Sequence, residues 1–360
     1  MNRRLFAHLC TWFSTPEVSG RWEMWNSEYD GARHDPSVLR ADGRRDIAAF
    51  GYPLIGPYDS ADADAIRWQL SLMQACGIDG VIVDWDGRRI NPHRHEKFLA
   101  LLRVLREYPL KLIVCFEEWA GYYPLGTFAA AEEGVSAAIG ELAWLRENVI
   151  ETGLYEEQNG RFPVFVFRKM PGHMFGRAEW ERIKASSAAR GMEFYFEDCY
   201  DPQIEEAADG WFFWVGGFDA ENRNSLAYHR DAIARYEARV RALGGKKVVP
   251  SLVPGFDDTC VWGWGGGKRV APRENGARYE LCCEHVLAGE FDLAQIVTWN
   301  DWNEGSHIEP SADFGYAYLC RTARFAAQWK GTACTAAEAD FAAITDVYLQ
   351  KKRKTREEKK

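Results

Sequence analysis

Two carboxylates three residues apart, Asp301 and Glu304, lie in the stretch Ile296-Val-Thr-Trp-Asn-Asp-Trp-Asn-Glu-Gly-Ser-His-Ile-Glu309, among Trp299, Asn300, Trp302, Asn303 and His307. Carboxyl groups move protons, amides and imidazoles bind hydroxyls, and indoles cover the apolar faces of sugar rings. Breaking a glycosidic bond needs such a pair: one acid protonates the leaving oxygen, and a second carboxylate acts as nucleophile or base. On a helix-like turn, residues i and i+3 share a face with Cβ atoms roughly 5–6 Å apart. That spacing fits either stereochemical outcome, because retaining enzymes hold the carboxyls about 5–5.5 Å apart and inverting ones about 6.5–9.5 Å. It fits a structural use equally well, with Asp301 capping a helical turn and Glu304 in its first turn.

Residues of this kind need a scaffold that gathers distant positions. Ile296 and Val297 read as the end of a buried strand that runs into the acids. Seven further short apolar runs bounded by turn residues, at 5–12, 80–85, 110–116, 162–167, 193–196, 210–215 and 247–253, make eight strands with the run at 294–299. Helix-like stretches separate most of them, the clearest at 62–76, where Ser60 is placed to cap, Ile66, Leu70 and Met73 repeat at helical spacing, and Gly77 stops the helix. Alternating strand and helix with eight strands predicts an α/β fold, a (β/α)8 TIM barrel, as one domain over 1–345. The segment 15–46 lacks periodicity and reads as a long loop. The charged residues 346–360 read as a solvated, frayed tail.

In a barrel, side chains at the C-terminal ends of the strands converge on one face, where chemistry takes place. Those ends carry His8 and Trp12, Asp84 and Trp85, Glu117 and Glu118 with Trp119, Arg168 and Lys169, Glu197 and Asp198, Trp214, Asp257 and Asp258, and then Asn300, Trp302 and His307. Singly, each is explained by helix capping or core packing. Together they outline a polar, aromatic rim. With Tyr52, the expected substrate-binding set is His8, Trp12, Asp84, Trp85, Glu117, Glu118, Trp214, Asp257, Asp258, Asn300, Trp302 and His307, around Asp301 and Glu304.

The whole chain narrows the partner. Of 360 residues, 15 are Trp and 15 Tyr, and the net charge of -9 argues against a nucleic-acid surface. The nine cysteines are odd in number without CxxC spacing, which predicts neither a disulfide framework nor a zinc site and suits the cytoplasm. No apolar run reaches the roughly 18 residues of a membrane span. His93 and His95 lie in a polar loop without further ligands at suitable spacing, so no metal and no cofactor are expected. The Gly-rich stretch 262–268 lacks the spacing of a phosphate loop. It reads either as a loop over the site, with Trp262 or Trp264 on sugar, or as a solvent loop. The partner expected is a carbohydrate, and the sequence leaves the oligomeric state open.

The run Thr298-Trp-Asn-Asp-Trp-Asn-Glu-Gly-Ser-His-Ile-Glu-Pro310 resembles the strand-eight signature of glycoside hydrolase families 99 and 71, the endo-α-mannosidase and α-1,3-glucanase groups. Tyr52-Pro-Leu-Ile-Gly-Pro-Tyr-Asp-Ser60, Gly77-Ile-Asp-Gly-Val-Ile-Val-Asp-Trp-Asp-Gly87 and Pro254-Gly-Phe-Asp-Asp258 resemble other blocks of these proteins in matching order. The resemblance implies that Glu304 is the general acid, or acid/base, and Asp301 the assisting base. Family 99 has Glu in the first place and uses it to deprotonate the sugar's own 2-hydroxyl, whereas family 71 has Asp there and inverts. The Glu-Gly-x-x-Ile-Glu-Pro tail is closer to family 99. Cleavage of an α-linked oligo- or polysaccharide of mannan or glucan type is the expected activity. A catalytically inactive sugar-binding barrel and a part in cell-surface polysaccharide assembly remain as alternatives.

Overall fold

A computed structural model describes residues 3–29, 31–118, 131–168, 175–197, 204–216 and 223–358. Its main sheet is parallel and follows chain order: β1 (Arg4–Leu9), β2 (Gly80–Trp85), β3 (Lys111–Glu117), β4 (Phe162–Phe167), β5 (Met192–Phe196), β6 (Gly210–Phe212), β7 and β8 (Leu293–Ile296). The seventh strand is split into Lys247–Val249 and Ser251–Leu252, because Pro250 between them has no N–H to give to a ladder. Its first half pairs with β6 and its second half with β8. The carbonyl of Pro250 still accepts from Gln295 at 3.0 Å, so the broken strand closes an eight-stranded barrel.

Side-chain alternation divides the strands between two cores. Phe6, Ile82, Ile113, Cys115, Phe165, Phe167, Tyr195, Phe212, Val249 and Leu293 fill the interior. Leu5, Ala7, Leu9, Val81, Val83, Trp85 and their neighbours face the surrounding helices. These are α1 (Ala63–Ala75), α2 (Pro92–Leu105), α3 (Ala131–Asn148), α4 (Arg177–Ala185), α5 (Leu226–Ala242), α6 (Ala277–Ala288), α7 (Ala317–Lys330) and α8 (Glu338–Glu358).

Three local expectations change. The cap of α1 is Asp62, which accepts from the Asp64 amide, while the Ser60 hydroxyl accepts from the Phe13 amide at 3.2 Å. Residues 15–46 contain a hairpin, Ser27–Tyr29 with Ala32–His34, and supply Trp25 to a satellite core with Phe13, Tyr58 and Trp302. There Trp25 stacks on Phe13 with centroids 4.2 Å apart and donates to the Tyr58 carbonyl. The charged tail is not frayed over its described part: α8 continues to Glu358, and Lys351 and Lys352 pair with Asp64 and Asp62 at the start of α1. Among the described residues no helix is long and apolar enough to cross a membrane.

Candidate active site at the end of β8

Past Ile296 the chain turns tightly across the barrel mouth. Thr298 Oγ1 accepts from the Asp301 amide at 2.8 Å, and Asp301 Oδ1 accepts from the Glu304 amide at 2.9 Å. Asp301 therefore caps the turn that carries Glu304, as the structural use of this spacing requires. Glu304 itself reaches out of the turn. Its Oε1 accepts from the Trp264 indole N–H at 2.8 Å and lies 3.7 Å from the Arg269 guanidinium. The thiol of Cys10, at the end of β1, registers the same gathering: burial pushes it well above its ordinary pKa, and Asp301, Asp84 and Glu304 add to the rise through their charge. Carboxylates of β2 and of the β8 turn are thus close enough to Cys10 for their charges to be felt there.

A buried framework holds this turn. Gly305 has φ +63, and a Cβ there would lie 2.9 Å from Phe50 Cβ and 3.0 Å from the Asp257 carbonyl, so close approach and left-handed backbone both call for glycine. Arg273 donates to the carbonyls of Gly305 (2.9 Å) and His307 (2.8 Å), and its guanidinium lies over Phe314 and Tyr318. Behind the turn, burial raises the Glu309 carboxyl to about 8 against the pull of three donors, Tyr58, Gln69 and Trp302. Tyr58 donates its O–H to Glu309 at 2.7 Å while accepting from Asn300 at 2.9 Å.

The loop after β7 covers Glu304. Asp258 is fully buried, accepts from the Arg269 amide at 2.8 Å and pairs with its guanidinium, and burial raises its carboxyl. Trp262, Gly263 and Trp264 all have left-handed backbone, a bend that turns the Trp264 N–H toward the acid. Tyr29 of the hairpin meets Trp264 edge-on at 5.7 Å, and Trp262 packs over Gly31. Of the two uses open to the Gly-rich stretch, it is the loop over the site.

Comparison with known proteins gives this arrangement a context. Residues 196–322, from the end of β5 through the acid turn, match the family model described as Glycosyltransferase WbsX. A glycoprotein endo-alpha-1,2-mannosidase-like protein of Danio rerio is 21% identical over 328 residues, spanning 83% of this chain and 69% of that protein. Its Homo sapiens namesake is 18% identical over 329 residues, spanning 85% and 68%. The GH99 endo-alpha-mannosidase of Bacteroides thetaiotaomicron has the same fold, with a TM-score of 0.67 at 21% identity over 91% of this chain and 98% of that one. The chain therefore shares the fold of that GH99 enzyme.

Strand parity sorts the expected residues of this barrel. His8, Asp84, Glu117 and Trp214 alternate in step with the interior side chains Phe6, Ile82, Cys115 and Phe212 and face the axis. Trp214 meets His8 edge-on at 4.8 Å and Phe167 at 4.9 Å. Trp85 and Glu118, one residue out of step, face the helix layer, so neither is a substrate ligand. Trp85 packs on Phe98 and Trp144, while Glu118 is held by Arg168 and by the Trp180 N–H at 2.7 Å, with burial lifting it to about 7.

Three expected ligands in the turn itself are occupied by the framework. Asn300 spends its amide on the backbone of Cys10 (2.7 and 3.0 Å) and on Tyr58, tying β8 to β1. Trp302 is fully buried, bonded to Glu309 and Tyr58 and stacked on His307 at 3.9 Å. Burial and Arg273 depress His307 well below the ordinary histidine range, leaving it a neutral packing group. Asp258 likewise belongs to the loop anchor. Asp257 remains beside the acid: its amide donates to the Glu304 carbonyl at 2.7 Å, and its carboxylate holds Thr259. Trp12 is half-buried under the Arg94 guanidinium, whereas the contacts of Tyr52 are with Arg44, Arg45 and Asp313. Trp119, Lys169 and Asp198 lie outside the described residues. Arg269, Cys10, Tyr58 and Glu309 had no assigned role in the sequence, although Tyr58 and Glu309 fall inside the family-like blocks, and Trp264, expected on sugar if the loop covered the site, bonds to Glu304 instead.

Proposed function

We propose that the protein is a glycosidase that cleaves an α-linked oligo- or polysaccharide of mannan or glucan type, with Glu304 as proton donor and Asp301 as assisting base. The observation that carries this is the orientation of Glu304 at the barrel mouth by the Trp264 N–H, on a turn capped by a second carboxylate. The names of the endo-alpha-1,2-mannosidase relatives support the same substrate chemistry. Glu304 gives its proton to the glycosidic oxygen as the bond to the anomeric carbon breaks. In a mannan-type substrate, where the 2-hydroxyl lies trans to the leaving group, Asp301, with one oxygen on the Glu304 amide, takes the proton from the 2-hydroxyl, whose oxygen bonds to the anomeric carbon as the leaving group departs, and water then opens the anhydro sugar. In a glucan-type substrate, where that hydroxyl is cis, Asp301 instead takes the proton of the attacking water. His8, Asp84, Glu117 and Trp214, which face the axis, form the floor beneath the ring.

A second reading rests on the matched model's description as a glycosyltransferase: the same acids would serve sugar transfer in glycan assembly. One experiment separates the two. Purified protein is incubated with α-mannosides and α-glucans, with and without nucleotide sugars, and products are followed by proton NMR. Release of reducing sugar without nucleotide supports the glycosidase. Product formed only with a nucleotide sugar supports transfer, and saturable binding with no product supports an inactive binding barrel.

A further inference from the structure

Below the acid turn, inside the barrel, three side chains from three adjacent strands meet: His8 of β1, Asp84 of β2 and Cys115 of β3, with Asp84 and Cys115 directly opposite in register. His8 Nδ1, one carboxylate oxygen of Asp84 and Cys115 Sγ all lie within 4.8 Å of one another. His8 and Cys115 are fully buried, and the Asp84 side chain keeps 7% of its surface exposed. None of these contacts follows from sequence spacing, because the three residues come from separate strands.

The hydrogen bonds around His8 determine its tautomer. Gln295 Nε2 donates to the Phe213 carbonyl (3.1 Å) and to Ser251 Oγ (2.8 Å), so its Oε1 is the atom presented to His8 Nε2 at 2.7 Å. A carbonyl oxygen only accepts, so Nε2 carries the proton, and in neutral imidazole Nδ1 is then a lone pair. That lone pair faces Asp84 Oδ1 at 3.6 Å, and neither atom has a hydrogen-bond partner. Two buried acceptors aimed at each other are costly unless a cation, or a proton on Nδ1, lies between them.

We propose that His8 Nδ1, Asp84 Oδ1 and Cys115 Sγ bind a divalent cation of the zinc class. The donor set fits: nitrogen, carboxylate oxygen and thiolate sulfur are the ligands zinc accepts. So does the spacing, because two N/O ligands of a tetrahedral zinc, each about 2.0–2.1 Å from the metal, stand about 3.3 Å apart, close to the 3.6 Å observed. Gln295 supplies the outer hydrogen bond that orients a metal-binding imidazole. Binding converts the Cys115 thiol to thiolate and releases its proton to solvent. The inference revises the expectation of no metal, and it does not depend on which reaction the acid turn performs.

The test uses metal, not turnover, as its readout. Co2+ and then Zn2+ are titrated into the full chain carrying Cys334→Ser, which removes the exposed thiol. The expected result is one equivalent of Co2+ with a thiolate-to-cobalt charge-transfer band in the near ultraviolet, displaced by Zn2+, and a Tm raised by zinc. Cys115→Ala should abolish the band. His8→Gln and Asp84→Asn should each weaken binding at least tenfold, with circular dichroism confirming that the variants fold. Absence of a band in the folded parent protein, or a band of equal strength in Cys115→Ala, would overturn the proposal and leave His8 as an imidazolium paired with Asp84.

Discussion

Replacing Glu309 with Gln should flatten a pH dependence built into the wall behind the acid turn. Burial raises this carboxyl from its ordinary 4.5 to about 8 in the folded protein. Between those values the folded chain holds a proton that the unfolded chain has released, so the contribution to stability is fully present below about 4.5, falls as pH rises, and is gone above about 8. At about 1.4 kcal/mol per pH unit, the wild type should lose about 4 kcal/mol from this group between about pH 5 and pH 8. Glu309→Gln keeps an acceptor for Tyr58 and, with the Gln69 amide turned over, retains most of the local bonds, so near pH 5 it should cost only about 1 kcal/mol. His229, depressed to about 3, and His307, held well below its ordinary value, act in the opposite sense: they favour the fold above the ordinary histidine pKa and penalise it as pH falls. Both are common to the two proteins and cancel in the difference. Urea unfolding of both across this range, compared at each pH, is the assay. Parallel stability curves would show that Glu309 is ionised in the fold throughout and would refute the reasoning.

Two further substitutions probe the turn and its cover. Gly305→Ala forces a Cβ against Phe50 and the Asp257 carbonyl at positive φ, and should cost roughly 2–4 kcal/mol in denaturant unfolding; a loss under about 0.5 kcal/mol would mean that the turn relaxes freely. Trp264→Phe keeps the ring but removes the N–H that orients Glu304, a hydrogen bond whose loss leaves a buried acceptor unmet at roughly 1–3 kcal/mol. It should lower kcat/KM on the cleaved glycan about 10- to 100-fold with little change in Tm, and unchanged kinetics would remove Trp264 from the site.

What the sequence disclosed followed from local patterning. Buried parallel strands are short apolar runs, so all eight were visible, down to matching ends at Gly80–Trp85 and Phe162–Phe167. The pause at Pro250 was hidden inside the run 247–253. The acid turn was legible because Asp301 and Glu304 are neighbours, yet their spacing could not say that Asp301 would cap the turn. Trp85 and Glu118 were misplaced by naming strand ends without counting parity, although alternation with Ile82 and Cys115 would have set both on the helix side. The Trp264 contact was out of reach, because it depends on left-handed backbone at 262–264 that the neighbouring glycines permit but do not dictate. Tail residues Lys351 and Lys352 looked solvated because their acidic partners on α1 are distant in sequence.

The assignment of Glu304 as the proton donor is tested most directly by Glu304→Gln, with hydrolysis of the cleaved α-linked glycan and binding of the same glycan measured side by side. Loss of a positioned general acid should lower turnover about 10²–10⁴-fold while leaving Tm and glycan affinity close to wild type. Turnover within a few-fold of wild type in the folded variant would place the proton donor elsewhere on the rim.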